Sequence, residues 1–287
     1  MMRFAIFPEN VALAGRSVYQ AFCDYIAYHT EHTFTMHDYN ADCAIIWSVL
    51  WNGRMEPNRY AYDEFKRQGK PVIILEVGAL KRNETWRVAV NHIDNTGFYG
   101  NVTLLNIDRP AELELQLDPW RPDVENGNII ICGQHTRSQL WRTMPDQTGW
   151  VLRVAKNLRE ELDNPIVFRP HPRCKDYSKT QLAEHGIKVV DPLQIPGTYD
   201  DFDFEKALDT TSLVYTHTSN AGIHAVMKGV PIYCSDNGLA RAVRVKADQV
   251  KPDREDWFIK LCHTEWTIEE IQNGIPFRRI ERYLLKR

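Results

Sequence analysis

Apolar residues along this chain follow two rhythms. Unbroken runs such as Cys43–Val49 and Pro71–Glu76 alternate with stretches where apolar residues recur every three or four positions, as Val18, Phe22 and Tyr25 do between Arg16 and Tyr28. Unbroken runs suit strands buried on both faces, and the spaced stretches suit helices laid across them. A first set predicts strands over Arg3–Phe7, Thr33–Met36, Cys43–Val49 and Pro71–Glu76, with helices over Arg16–Tyr28 and Arg59–Gln68. Between Asp118 and Asn128 the composition shifts to Pro119-Trp120-Arg121-Pro122 and Asn126-Gly127-Asn128, which reads as a linker. A second set predicts strands over Ile129–Cys132, Ile166–Phe168, Lys188–Val190, Leu213–Tyr215 and Pro231–Cys234. Helices over Trp150–Leu162, Tyr177–His185 and Ala221–Lys228 separate them, and Thr267-Ile-Glu-Glu270 has the form of a capping box. The expected fold is α/β, with two Rossmann-like domains of mainly parallel sheet facing a cleft. The expected boundaries are 1–120, 121–275 and a basic C-terminal helix over 276–287, with Ile280, Tyr283 and Leu284 on one face.

Composition narrows the class. At 287 residues the chain can bury two cores. Its hydrophobic fraction of 43% and charged fraction of 25% are those of a globular protein. No apolar run approaches the roughly 20 residues of a membrane span, and no signal-peptide pattern opens the chain, so a cytoplasmic protein is expected. The six cysteines form no CxxC pair and read as buried free thiols, not as a zinc site. A net charge of −3 gives no overall attraction to nucleic acid.

Chemistry gathers at two strand ends. Phe168-Arg169-Pro170-His171-Pro172 ends one, and Tyr215-Thr-His217-Thr218-Ser219-Asn220 ends another and opens a helix-like stretch. The N–H groups and positive end of a helix start favour an anion by about 0.3–1 kcal/mol, and a guanidinium adds a charge-assisted bond. Arg169, His171, Thr218, Ser219 and Asn220 therefore read as a phosphate site. Gly133-Gln-His-Thr-Arg137 follows the Ile129–Cys132 strand on the same edge, and Arg137 there could reach a diphosphate. A lone Gly15 after the first strand excludes a GxGxxG dinucleotide site.

These residues carry a resemblance. Arg-Pro-His-Pro, followed by Thr-Ser-Asn-Ala-Gly-Ile-His-Ala-Val-Met-Lys-Gly-Val-Pro-Ile, resembles the donor half of GT-B glycosyltransferases. Within those it is most similar to the capsule-polysaccharide Kdo transferases and the bacterial sialyltransferases. The family's HP and Ser/Thr motifs touch the nucleotide phosphate, and by match those roles fall on His171, Thr218 and Ser219. His224 stands where the family's following helix has Glu. The family's acidic strand-end motif matches Glu76-Val77-Gly78, with Val77 in place of a second acid. The resemblance implies catalysis by Glu76, as general base, and His171, with Glu9, Asp42 and Glu84 as the other candidates for the base, and with the donor held by Arg137, Arg169, His171, Thr218, Ser219 and Asn220. It implies a nucleotide-sugar co-substrate, UDP- or CMP-linked, with no other cofactor.

Trp51 and Arg54 follow a strong strand, and Lys81 and Arg82 follow Gly78; all four are candidate acceptor contacts. No DxD-type pair follows a strand, Asp200-Asp201-Phe202-Asp203 reading as a loop, so an inverting, metal-independent transferase is expected. Pro71–Trp86 also looks like phage sequences. That makes a hydroxymethylated base of phage DNA a candidate acceptor beside a glycan, in the host cytoplasm. The rival readings are a phosphotransferase similar to those using CDP-glycerol, and a non-catalytic nucleotide-sugar or nucleic-acid binding module.

Overall fold

The computed structural model describes residues 1–122, 124, 126–198, 201–245 and 250–286. Asp123 and Glu125 of the expected linker, Asp200 of the acidic run and Arg287 of the basic segment lie outside the described residues. The described strands are β1 (Arg3–Ile6), β2 (Thr33–Met36), β3 (Cys43–Trp47), β4 (Val72–Val77), β5 (Thr85–Val90), β6 (Asn128–Cys132), β7 (Ile166–Arg169), β8 (Lys188–Val189), β9 (Thr211–Thr216), β10 (Ile232–Cys234) and β11 (Glu265–Thr267). They form two sheets in two compact units: Met1–Leu115 with Phe258–Arg287, and Gln116–Trp257. All six cysteines are free and buried.

In the first unit the sheet order is β2-β1-β3-β4-β5-β11. The first four strands are parallel, while β5 runs antiparallel to β4 and β11 antiparallel to β5. Every residue of β3 is buried, as its unbroken apolar run requires. The helix Arg16–His29 buries Val18, Tyr19, Phe22, Cys23 and Ile26, the face its spacing predicts. The C-terminal helix Ile275–Leu285 sends Phe277, Ile280 and Leu284 into the same core, and Tyr283 stacks on Phe98 at 4.1 Å.

Residues 258–275 therefore differ from the sequence-based expectation: they belong to the first unit, not to a domain over 121–275. One carboxylate ties them there, beside the burial of Trp266 and Ile271 in the same core. Glu265 on β11 is wholly buried, and its oxygens accept from the Ala79 N–H (2.7 Å), the Leu80 N–H (3.0 Å), Thr85 Oγ1 (2.9 Å) and Arg87 Nη2 (2.7 Å). Burial works against the charge of Arg87, but Glu265 keeps its pKa above the ordinary arginine value. Arg109 fastens the same segment, donating to Cys262 O, Glu265 O and the Glu270 carboxylate while lying 4.2 Å from the centre of the Trp266 ring. The expected capping box at Thr267 and Glu270 is present.

In the second unit all five strands are parallel, in the order β10-β9-β6-β7-β8. The chain steps outward from β6 to β8, then crosses to β9 and β10 on the other side of β6. The order thus reverses between β6 and β9, the position where open α/β sheets hold ligands beyond their carboxyl ends. The start of the expected linker is held inside this unit. Asp118 N–H donates to Met227 O and Arg121 N–H to Gly229 O (both 2.8 Å), and Arg254 donates to Asp118 O. Buried backbone needs partners whatever its proline content, so the segment is anchored and the division falls at 115/116.

Candidate functional site

At the switch point of the second unit three neighbouring strand exits meet. Cys132 at the end of β6 stands beside Arg169 of β7 on one side and Thr216 of β9 on the other. Gly133 donates its N–H to Arg169 O at 2.8 Å. A side chain there would press on Gln147 Oε1, the His171 nitrogen and the Phe168 ring, which explains the glycine. The exits bring together the His171 segment, the Thr218-Ser219 segment and the Gly133 loop, which the sequence placed on one edge.

His171 is half-buried, and its Nδ1 accepts the Arg173 N–H at 3.1 Å. That bond leaves the proton of the neutral ring on Nε2. The His135 ring stands edge-on to it, with centroids 5.4 Å apart. Ser219 caps the helix Asn220–Met227, its Oγ accepting from the Ala221 N–H, and its own N–H donates to Thr216 Oγ1 at 3.1 Å. Thr218 donates through both N–H (3.3 Å) and Oγ1 (2.9 Å) to Gln134 Oε1, and Gln147 Nε2 donates to Gln134 O at 2.6 Å. Asn220 begins the helix, and Arg137 is exposed.

Arg169 plays a different part from the one its sequence position suggests. It is 5% exposed and donates to Asp203 Oδ1 at 2.5 Å, while Asp203 also accepts the Leu193 N–H at 2.8 Å. Burial works to raise the Asp203 carboxyl, but Arg169 and Leu193 outweigh it and hold it below the ordinary value. The guanidinium thus holds Asp203, and through it Leu193, beside the β7 exit. A carboxyl held low stabilises the fold above its unfolded pKa, and that contribution vanishes as pH falls through the folded value. Thermal melts taken below the ordinary aspartate value of 3.8 should show this loss, and Asp203→Asn should flatten it.

In the first unit, Glu76 is the penultimate residue of β4 and is half-buried. Its Oε2 accepts from Ser48 Oγ (2.7 Å) and the Val49 N–H (3.3 Å), and its Oε1 from the Val77 N–H (2.9 Å). Ser48 is buried in the left-handed region at φ 65°, a conformation costing about 1–3 kcal/mol. Glu76 braces this turn after β3, a contact its sequence surroundings do not announce. Gly78 has a packing cause, since a side chain there would collide with Thr85 and Glu265.

The expected acceptor contacts divide. Arg54 and Arg82 are exposed. Lys81 is paired with Glu84 (3.0 Å) and Glu114 (3.3 Å). Trp51 is 6% exposed, packed against Tyr62 and overlain by Arg59 at 5.8 Å, so burial of the ring replaces the expected stacking on a ligand. Among the described residues no helix is long and apolar enough to cross a membrane.

No protein-family model matches the chain, and no curated protein matches it in sequence. Solved structures do match in shape. The beta Kdo 2,4 transferase of Thermosulfurimonas dismutans KpsC covers 96% of this chain and 98% of its own, at 14% identity and TM-score 0.48. The UDP-GlcNAc 2-epimerase of Methanocaldococcus jannaschii, solved with UDP-GlcNAc and UDP, covers 100% of both at 13% identity and TM-score 0.35. The beta Kdo 2,7 transferase of Thermosulfurimonas dismutans KpsC covers 98% of this chain and 100% of its own, at 12% identity and TM-score 0.52. At that identity the likeness is one of fold: two Rossmann-like units of the GT-B kind, as the sequence leads one to expect.

Proposed function

We propose that this protein is a glycosyltransferase that takes a sugar from a nucleotide-activated donor. The observation that carries the reading is the meeting of the β7, β6 and β9 exits at the switch point, with His171, Thr218 and the Ser219-capped helix start around one place. In this reading His171 Nε2–H, the Ser219 hydroxyl and the first N–H groups of the helix beginning at Asn220 bind the donor's phosphate, and Thr218 lines the same place with its hydroxyl turned to Gln134. Arg137 reaches it from the β6 loop, and Arg169 acts through Asp203. As the bond from the anomeric carbon to phosphate breaks, charge grows on the departing oxygen where these donors stand ready.

Glu76 takes the proton of the acceptor hydroxyl as its oxygen attacks the anomeric carbon, a single displacement with inversion. No metal enters this scheme, so turnover should persist in EDTA. Arg54 and Arg82 are the candidate acceptor contacts. The acceptor is a hydroxyl of a glycan or of a hydroxymethylated DNA base, and transfer assays with each separate the two. One observation favours a binding module instead: both Glu76 oxygens already hold partners, Ser48 and Val49 on Oε2 and the Val77 N–H on Oε1.

A thermal-shift series with UDP, CMP, GDP and dTDP tests the donor site. A nucleotide at about 100 times its dissociation constant should stabilise the fold by roughly 2.7 kcal/mol. No shift with any of the four would end the nucleotide reading.

A further inference from the structure

The β6 exit carries two polar side chains that the scheme above leaves without work. Gln134 and His135 are 6% and 7% exposed. Thr218 settles the orientation of the Gln134 amide, because a backbone N–H only donates, so Oε1 must face it. The Gln134 NH2 group therefore lies on the other side of the amide, where it meets no acceptor among the described residues. His135 Nδ1 accepts the Arg137 N–H at 3.2 Å, which leaves the neutral ring's proton on Nε2. That Nε2–H also meets no acceptor among the described residues. Neither nitrogen belongs to the fully buried polar atoms that lack a partner, so both donor tips reach the outside while the rest of each side chain is packed. Gln147 holds the loop beneath them through Gln134 O, and Thr218 holds the amide.

We propose that Gln134 and His135 donate through their Nε2 atoms to the phosphate of the bound nucleotide, making the β6 exit the middle of the anion site between His171 and Thr218. This rests on the nucleotide reading of the second unit. Two donors fixed in place before the ligand arrives need no reorganisation when it binds. His135 acts beside His171 as a second imidazole, and Gln134 adds a neutral donor while tying the β9 exit to the β6 exit.

Calorimetric titration of the full chain with UDP and CMP, and with uridine and cytidine as controls lacking phosphate, tests it. His135→Asn keeps an acceptor for the Arg137 N–H but has no distal donor. His135→Gln keeps a donor at the reach of Nε2 but loses the near acceptor. Gln134→Glu keeps the acceptor for Thr218 and turns the donor into a negative oxygen. His135→Asn and Gln134→Glu should weaken nucleotide binding roughly 10- to 100-fold, the range for a hydrogen bond to a charged group, and leave nucleoside binding unchanged. His135→Gln should stay close to wild type. The opposite order of the two His135 variants would make the ring a purely structural support through Nδ1 and overturn the proposal. Equal nucleotide affinity in all variants would do the same. If the wild-type chain binds neither nucleotide, the nucleotide reading itself falls and takes this proposal with it. Should a variant fail to fold, the imidazole nitrogen resonances of the wild-type chain decide: His135 Nε2 shifts with UDP or CMP but not with the nucleosides, and a still resonance overturns the proposal.

Discussion

Glu265→Ala should be the most damaging single change for stability. It takes from Arg87, only 3% exposed in its side chain, the buried carboxylate it donates to, and strips acceptors from two backbone N–H groups and Thr85. Breaking a buried pair from one side costs roughly 3–5 kcal/mol. For a body of this size each kcal/mol lowers Tm by about 2–4 °C. Adding Arg87→Met should recover part of the loss, since no buried charge then remains, but not all, because the Ala79 and Leu80 N–H groups stay unmatched. Denaturant melts of the two variants check both statements. A Glu265→Ala protein as stable as wild type would show that the carboxylate is not what binds residues 258–275 into the first unit.

Glu76→Gln should have the largest effect on turnover. The amide oxygen can still accept from Ser48 and Val49, so the turn after β3 keeps its support. What disappears is a group able to take a proton, and general bases contribute typically 10²–10⁴-fold. Donor affinity, which the proposed function places on groups of the second unit, should not change. Steady-state transfer assays with parallel calorimetry read both. Turnover that survives the substitution moves the base elsewhere, whereas a wild-type chain that binds donor but never turns over is a binding module.

The parts of the fold written in local pattern were legible from the chain alone. β3, β4, β6 and β7 are short apolar runs, and the helix Arg16–His29 shows its buried face in its spacing. The capping box at Thr267 and the Ser219 helix start are local too. β5 and β11 were not legible. Thr85-Trp-Arg87-Val and Glu265-Trp-Thr267 carry buried charges within strands, and each charge makes sense only beside the other. The same distance effect hid the commitment of Arg169 to Asp203 and of Glu76 to Ser48, because ion pairs and side-chain bonds across strands leave no periodicity. At the candidate site the histidine and hydroxyl segments were visible as motifs. Gln134 and His135 were not singled out, since their significance lies in which atoms are already bonded. A glycine followed by two polar residues at a strand exit was the available signal.

The return of the chain to its first unit sets an order on its synthesis. Arg87 and Glu265 are 178 residues apart, so a ribosome adding about 5–20 residues per second leaves Arg87 waiting roughly 9–36 s for its counter-charge. Gln116–Trp257 leaves the exit tunnel whole during that interval, and can close its own parallel sheet while the β5 edge is still exposed. Until β11 emerges, that uncovered edge is the segment of the nascent chain for which a chaperone would have most to do.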